Sequence, residues 1–305
     1  MKLKKILTYF LAGVVFLFVS SIVVYEVFPG VICKAYKYRS FSKTKLEVKS
    51  IKIGDKTFCY AEKGSGKTLF FIHGFQSDMA FWSHYISFFP NNHIVLLDLP
   101  SHGKSSCDLN QKFDLQSLAE TLNDFVNAKK LDKFSLIGTS LGAGVITEYS
   151  AKYPEKVTKM VLLNPIGIRP DAKEYDEVIS RNEKMFFPST IQELDELYVY
   201  LTGRPFSMGY PIKKYILSCM LEKRAVYQKI YSDLVKSRGV QNVLPSIKAP
   251  TLLLFAKHDK ITRLKDVEQY VKKMPHCQAI MIDGFHILSG KSLESAGLEM
   301  QFFLN

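Results

Sequence analysis

Cysteine is scarce in this chain and forms no pattern of a disulfide framework or a metal site. The sequence of 305 residues has five cysteines, Cys33, Cys59, Cys107, Cys219 and Cys277. They include no C-x-x-C pair, and their number is odd. Disulfide scaffolds and zinc sites normally show an even count or a paired spacing. We therefore expect small, mostly buried thiols and no metal site, a pattern that is compatible with a reducing compartment.

Acidic residues are too few to balance the basic ones. The chain has 29 Asp and Glu against 41 Lys and Arg, a formal net charge of +12. The excess is concentrated between Lys34 and Lys67, where ten basic residues face only Glu47, Asp55 and Glu62. A basic surface favours either anionic lipid or nucleic acid. No nucleic-acid recognition module is present, so we predict a membrane lipid surface and no nucleic acid as partner. A generally lysine-rich composition would give the same balance.

The N-terminal segment lacks the small-x-small cleavage site of a signal peptide. Ile6 to Phe28 is an apolar run of 23 residues whose one charge is Glu26. About 20 apolar residues span a bilayer, whereas the apolar core of a signal peptide has about 7–15. We therefore predict an uncleaved membrane anchor at residues 1–30, followed by a basic juxtamembrane linker at 31–47.

The side of the membrane is less strongly indicated. Three lysines precede the apolar run, and five basic residues follow it between Lys34 and Lys45. The positive-inside rule then slightly favours a cytoplasmic location for the residues that follow the anchor. A short basic N-terminus ahead of an apolar run commonly drives export, so the opposite orientation stays open.

The chain also lacks internal repeats and low-complexity tracts, which argues against a repeat architecture. Apolar runs alternate instead with helix-length segments, as in a mostly parallel sheet covered on both faces. The predicted strands are Val48–Ile53, Thr57–Glu62, Leu69–Ile72, Ile94–Asp98, Phe134–Ile137, Met160–Asn164, Thr251–Phe255 and Ala279–Ile282. The predicted helices are Leu115–Ala128, Leu141–Tyr153, Leu264–Lys273 and Lys291–Phe303. We expect one α/β domain over residues 48–305.

A G-x-S-x-G pattern follows one of these strands. Gly138-Thr139-Ser140-Leu141-Gly142 lies between a buried strand and a helix with small residues at its start. In this context the pattern forms a nucleophile elbow, a turn so tight that glycine is needed two residues either side of the serine. We predict that Ser140 is the nucleophile. A plain glycine–serine turn is the alternative.

Two later strands end in residues that complete such a site. Asp259 follows Thr251–Phe255, and His286 follows Ala279–Ile282. A serine hydroxyl needs an imidazole to take its proton, and the imidazole needs a carboxylate to fix its tautomer. We predict that His286 is the general base and Asp259 the orienting carboxylate. His102 and His258 are the rival bases, and Asp259 could instead be a helix N-cap.

An oxyanion hole needs two backbone N–H groups, one from the residue after the nucleophile and one from an earlier loop. His73-Gly74-Phe75 follows the strand Leu69–Ile72. We predict that the amides of Phe75 and Leu141 are the donors. This chemistry needs no metal or organic cofactor.

The segment between Asn164 and Thr251 has helical patterns rich in Met, Phe and Tyr and no strong strand signal. We predict a helical cap at about residues 166–247, part of which lines an acyl-chain pocket. The alternative for each of these side chains is packing against the core.

Over roughly Ile51 to Leu304 the sequence resembles the α/β-hydrolase superfamily. The resemblance rests on His73-Gly74-Phe75, on the loop from Asp98 to Ser105, on the elbow, and on the Asp259 and His286 loops. The apolar anchor, Gly138-Thr139-Ser140 and the segment Phe187 to Leu194 are similar to membrane-anchored monoacylglycerol lipases and related bacterial lipases. Ser101 departs from the family pattern, in which many members have Gly.

This resemblance implies an α/β-hydrolase fold with an eight-stranded sheet and a helical cap. It also implies hydrolysis of a lipid ester as the activity. Three alternatives stay open: a carbon–carbon-bond hydrolase with the same triad, a small-molecule esterase or thioesterase, and a catalytically silent, membrane-tethered binding module.

Overall fold

An eight-stranded sheet forms the centre of the protein in a computed structural model that describes residues 2–169 and 172–305. The strands are β1 (Glu47–Ile53), β2 (Lys56–Lys63), β3 (Thr68–Ile72), β4 (His93–Leu97), β5 (Phe134–Thr139), β6 (Val157–Leu163), β7 (Thr251–Ala256) and β8 (Cys277–Ile282). Their order in the sheet is β1-β2-β4-β3-β5-β6-β7-β8. The β1–β2 and β2–β4 pairs are antiparallel, and all the other pairs are parallel. The predicted mostly parallel sheet is confirmed.

The central strands are buried on both faces, which explains their nearly continuous apolar sequences. Within β3, Phe70 and Ile72 belong to one hydrophobic core, and Leu69 and Phe71 belong to the other. Successive side chains of a strand point to opposite faces, so one short run supplies both cores. Packing on both faces therefore holds the sheet rigidly, and the residues of the predicted site lie at the carboxyl ends of its strands.

Two helices precede the sheet. Helix α1 covers Lys2–Val27, and α2 covers Pro29–Ser42. The break falls at Phe28, and Pro29 begins α2, where the missing N–H of proline costs nothing. Within α1, Lys4–Val27 is long and apolar enough to cross a membrane, and none of it is buried in the fold. Most of the segment 31–47, for which the sequence predicts a linker, is helical.

The sheet is covered by helices whose bounds agree closely with the predicted ones. On the chain they are α3 (Leu115–Ala128) and α4 (Leu141–Lys152) before the cap, and two more after β7 and β8. Helix α3 begins where the Asp114 side chain accepts a hydrogen bond from the Ser117 amide at 2.7 Å. This is an N-cap, which fixes the first turn of a helix.

Between β6 and β7 the chain forms α5 (Ala172–Phe186), α6 (Ile191–Thr202), α7 (Tyr210–Glu222) and α8 (Arg224–Lys236). We call residues 172–236 the cap. Helices α9 (Leu264–Lys273) and α10 (Lys291–Leu304) then follow β7 and β8. Residues 170 and 171, inside the predicted cap at about 166–247, lie outside the described residues.

The cap contacts the N-terminal helices. Helix α7 packs against both α1 and α2. Gly30 lies so close to the Tyr215 ring that a Cβ on it would be 2.6 Å from a ring carbon, and Gly209 lies against the Tyr25 hydroxyl. The apolar helix thus leaves the fold beside the cap.

Candidate active site

Ser140 occupies a strained turn between β5 and α4. Its backbone has φ 51° and ψ −115°, a conformation that residues other than glycine rarely adopt. A Cβ on Gly138 would lie 2.7 Å from the Ala143 nitrogen, and one on Gly142 would lie 2.3 Å from the Ile72 carbonyl oxygen. The glycines are therefore required by close backbone approach, as the nucleophile-elbow interpretation predicts.

His286 and Asp259 form a buried pair beside this turn. The His286 Nδ1–H donates to Asp259 Oδ2 at 2.7 Å. The Asp259 side chain is fully buried and that of His286 is 7% exposed. Asp259 Oδ1 also accepts from the Ile261 amide at 2.7 Å and the Thr262 amide at 3.1 Å. These three bonds fix the carboxylate, which in turn fixes the imidazole with Nε2 free to accept a proton.

The rival histidines have other surroundings. His102 is buried, and its Nδ1–H donates to the Pro100 carbonyl oxygen at 3.0 Å. Burial, and then the nearby His73, lower the pKa of His102 to about 3. His258 contacts Asp283 at 3.0 Å on the exposed surface. In the described part of the chain the imidazole bonded to Asp259 is that of His286, and only His286 of the three lines a cavity with Ser140.

The predicted oxyanion loop lies directly against the serine. A Cβ on Gly74 would be 3.2 Å from the Ser140 Cβ. Gly74 therefore lies in contact with Ser140, and the Phe75 amide is the next one along the chain. Leu141 is the first residue of α4, and the first amides of a helix have no acceptor within the helix. The helix dipole also favours negative charge there.

His73 holds this loop in place. Its Nδ1–H donates to the Gly74 carbonyl oxygen at 2.8 Å, and its Nε2 accepts from the Leu99 amide at 3.0 Å. Burial lowers the pKa of His73, which keeps the ring in the neutral form that these two bonds need. Asp98 has a similar role, since it accepts from the Met79 amide at 2.7 Å and the Lys104 amide at 2.8 Å.

Asn164 is a site residue that sequence reasoning missed. It follows β6, is fully buried and has φ 46°. Its Nδ2 donates to the His286 carbonyl oxygen at 2.8 Å, and its Oδ1 accepts from the Ala256 amide at 2.7 Å. Asn164 thus joins the ends of β6 and β7 to the loop that carries His286. The one available signal was an asparagine at the end of a buried apolar strand.

Two cavities meet at Ser140. The larger, of about 510 Å³, has Ser140, His286 and Phe75 in its wall, together with cap residues. Most of its cap lining is apolar or aromatic: Phe186, Leu197, Tyr198, Leu201, Ile216, Met220 and Tyr227. The smaller, of about 160 Å³, is lined by residues of α5 and α8 and by Arg169, Arg238 and Arg263. The serine can therefore be reached by a ligand with an apolar chain.

Within residues 2–169 and 172–305, no cluster of three or more His, Cys, Asp or Glu side chains could hold a metal ion. The groups at Ser140 are those of proton transfer and anion stabilisation: a hydroxyl, an imidazole paired with a carboxylate, and backbone amides. Such a set can activate a serine and stabilise a tetrahedral oxyanion.

The strand order with one reversed strand near the edge, and the helices between β6 and β7, define the class of α/β hydrolases. The family model described as alpha/beta hydrolase fold matches residues 67–290, and the chain belongs to this family.

Similar proteins include lipases. The chain is 24% identical to the monoacylglycerol lipase ABHD6 of Homo sapiens, over 93% of this chain and 89% of that protein. It is 24% identical to lipase 1 of Psychrobacter immobilis, over 79% of this chain and 78% of that protein. A solved structure of a membrane phospholipase A, described as a bacterial virulence factor, has a TM-score of 0.84 and 25% identity. That likeness covers 97% of this chain and 98% of the other.

Proposed function

We propose that this α/β hydrolase cleaves carboxylic esters of lipids, and that its preferred substrate is a single-chain acylglycerol or a similar acyl ester. The observation that carries the proposal is the His286–Asp259 pair, bonded at 2.7 Å, whose imidazole lies in the wall of the same apolar cavity as the strained Ser140. The lipase names of the relatives support the same chemistry.

In this mechanism Ser140 Oγ attacks the ester carbonyl while His286 Nε2 takes its proton. The amides of Phe75 and Leu141 bind the oxyanion of the tetrahedral intermediate. His286 then gives the proton to the leaving alcohol, and an acyl-enzyme on Ser140 remains. Water, deprotonated by His286, attacks the acyl carbonyl, and His286 returns the proton to Ser140 Oγ as the bond to the serine breaks and the fatty acid leaves. Asp259 stabilises the imidazolium that forms in each half of the cycle.

The lipid preference is argued from the cavity and the anchor together. The cavity of about 510 Å³ is within the usual range for small-molecule sites, and its lining is mainly aromatic and aliphatic. Helix α1 would hold the enzyme at a bilayer, where acyl esters are concentrated. A single acyl chain fits one such cavity, whereas a triacylglycerol has three chains to place.

The proposed location is a membrane, with a single N-terminal anchor and the catalytic domain on the cytoplasmic side. Five basic residues from Lys34 to Lys45 against three before the apolar run support this orientation. Protease added outside intact cells should leave the domain uncut. Digestion from outside would reverse the orientation.

Other activities of the fold compete with this one. Carbon–carbon-bond hydrolases, thioesterases and small-molecule esterases use the same catalytic groups. A silent, tethered binding module would have no use for the buried His286–Asp259 pair at a strained serine.

A fluorophosphonate probe separates enzyme from binding module, because it reacts with an activated serine. We expect the wild type to be labelled and to hydrolyse 1-oleoylglycerol, and Ser140→Ala to do neither while keeping its thermal midpoint. Ser150→Ala is the matched control, since Ser150 is a buried serine of α4 away from the cavities. Labelling of Ser140→Ala at the wild-type rate would contradict the proposal.

A further inference from the structure

A third cavity lies between α2 and the catalytic domain and is rich in lysine. Its volume is about 790 Å³. One face of α2, with Cys33, Lys34, Lys37, Tyr38 and Phe41, forms one wall, and the opposite walls include Lys104 and Lys223. We call this space the basic chamber.

The charge of the basic chamber is positive. Two carboxylates face the four lysines, and both are engaged. Asp78 pairs with Lys37, and Asp98 accepts the amides of Met79 and Lys104. Burial also raises the pKa of Asp98. The positive charge of Lys34 and Lys104 is therefore left to act on a ligand, with Lys223 beside them.

The basic chamber adjoins the cavity of about 510 Å³ at Ser140, which we call the catalytic cavity. Gln76, Ser77, Lys223 and Tyr227 line both spaces. Gln76 and Ser77 follow directly after Phe75, the proposed oxyanion donor. A molecule with its acyl chain in the catalytic cavity and its ester at Ser140 would extend its alcohol half across these shared residues into the chamber.

The basic chamber also lies close to the membrane end of the protein. Lys34 comes five residues after the start of α2 at Pro29, which is at most about 8 Å along a helix axis. The headgroup layer on each side of a bilayer is about 5 to 8 Å thick. Lys34 is therefore placed at the depth of lipid phosphates once α1 crosses the membrane.

We propose that the basic chamber binds the phosphate of a lipid headgroup, so that the enzyme hydrolyses single-chain acyl esters whose glycerol carries a phosphate. This inference rests on the proposed ester hydrolysis at Ser140 and specifies the alcohol half of the substrate. Lys34 and Lys104 bind the phosphate oxygens, and Lys223 stands where the glycerol passes from one space to the other. Charge-assisted bonds from lysine to phosphate oxygens are the interactions that supply the selectivity.

The test compares two substrates that differ only in the phosphate, 1-oleoylglycerol and 1-oleoylglycerol 3-phosphate. The full chain is assayed on each in nonionic detergent micelles at equal mole fraction. The readout is the ratio of kcat/KM for the phosphorylated ester to that for the neutral one. Both lysines are exposed, and an exposed ion pair contributes little. We therefore expect the double variant Lys34→Gln, Lys104→Gln to lower this ratio by about threefold to tenfold.

The matched control is the double variant Lys133→Gln, Lys272→Gln, which removes the same charge from exposed lysines elsewhere. It should leave the ratio unchanged. An equal ratio in both double variants would overturn the phosphate subsite and leave the proposed ester hydrolysis intact. A wild type that hydrolyses neither ester would contradict the proposed function itself.

A non-hydrolysable ether lipid, 1-O-octadecylglycerol 3-phosphate, separates a headgroup subsite from general attraction to an anionic surface. We expect it to inhibit hydrolysis of 1-oleoylglycerol competitively, and less strongly in the Lys34→Gln, Lys104→Gln variant. Activation of the neutral reaction by the ether lipid would show surface attraction alone and would overturn the proposal.

Discussion

At the scale of single residues, His286 differs from the other histidines in its partner. It donates Nδ1–H to the buried Asp259 at 2.7 Å, whereas His258 contacts the exposed Asp283. Members of a catalytic triad act as a unit, so removing one removes most of the rate. We expect His286→Ala to lower kcat on a p-nitrophenyl ester by about 10⁴ or more, and Asp259→Ala by somewhat less.

His258→Ala is the control for that experiment, because it removes an imidazole from the loop after β7 that bonds Asp283 and leaves the hydrogen bonds of the Asp259 side chain in place. It should keep kcat within about twofold of the wild type. Loss of activity in His258→Ala with an active His286→Ala would show that the base is assigned to the wrong residue.

The environment of Ser101 leads to a second prediction. It is buried with φ 64°, and its hydroxyl is without a hydrogen-bond partner in the described part of the chain. Ser101→Gly removes both the left-handed strain and the unsatisfied hydroxyl, at the cost of more freedom in the unfolded chain. We expect a net gain of about 1 kcal/mol in the free energy of unfolding, measured by denaturant titration.

Lys130→Gly serves as the comparison, because Lys130 has φ 53° but is exposed and has no buried hydroxyl. Lys130→Gly should raise the free energy of unfolding less than Ser101→Gly does. A loss of stability in Ser101→Gly would mean that the hydroxyl has a bonded partner in solution.

At the scale of elements, Asn164 ties the ends of β6 and β7 to the loop after β8 that carries His286. Asn164→Ala would leave the Ala256 N–H without its acceptor and release the His286 carbonyl oxygen. A buried donor without a partner costs about 1–3 kcal/mol. We expect this loss of stability together with a fall in kcat of about 10- to 100-fold, because a small displacement of a catalytic group has an effect of this size.

KM should change little in Asn164→Ala, since the side chain bonds the backbone behind His286 and lines neither Ser140 cavity. Asn127→Ala, at an exposed position on α3, should change neither the free energy of unfolding nor kcat. A rise in KM with unchanged kcat would indicate contact with substrate and would contradict the positioning role.

The cap helix α7 leads to a prediction about the acyl-chain length of the substrate. Each buried CH₂ of an acyl chain adds about 0.8 kcal/mol, so kcat/KM should rise several-fold per pair of methylenes until the cavity is filled. Met220 lines that cavity, and Met220→Trp should move the optimum to shorter p-nitrophenyl esters. Leu221→Trp, at the neighbouring exposed position, should not. Activity that is flat or falling from acetyl to decanoyl would exclude an acyl channel.

At the scale of the whole molecule, the predictable parts are those encoded by local patterns. The apolar runs predict all eight strands, and the glycines around Ser140 follow from the steric limits of a tight turn. Asp259 and His286 could be proposed because parallel strands bring their carboxyl ends to one edge. Asn164 could not, because its bond to the His286 carbonyl joins positions 122 residues apart with no periodicity between them.

Helix α2 and the basic chamber also escaped prediction, for a different reason. The segment after α1 is dense in basic residues, which indicates a solvated linker, yet it is helical and packs on the cap and on a 3₁₀ helix at Met79–His84. The contact of Gly30 with Tyr215 is tertiary and leaves no local signal. The density of charge predicts a membrane lipid surface as partner, whereas the helical structure of α2 depends on its tertiary packing.

Helix α1, the proposed membrane anchor, leads to the last prediction, because none of its described side chains lines the cavity of about 510 Å³ at Ser140. Removing residues 1–27 leaves α2 whole, since it begins at Pro29. We expect the shortened chain to hydrolyse p-nitrophenyl butyrate within about threefold of the wild-type kcat/KM, while losing most of its activity on 1-oleoylglycerol embedded in vesicles. The reason is that a bilayer-spanning helix confines the enzyme to the surface where that substrate lies. Activity on both substrates is measured with the same preparation, and full-length protein bearing Ser140→Ala gives the background. An equal loss on both esters would show that α1, through Tyr25 and the Gly209 contact, is needed to hold the cap in place.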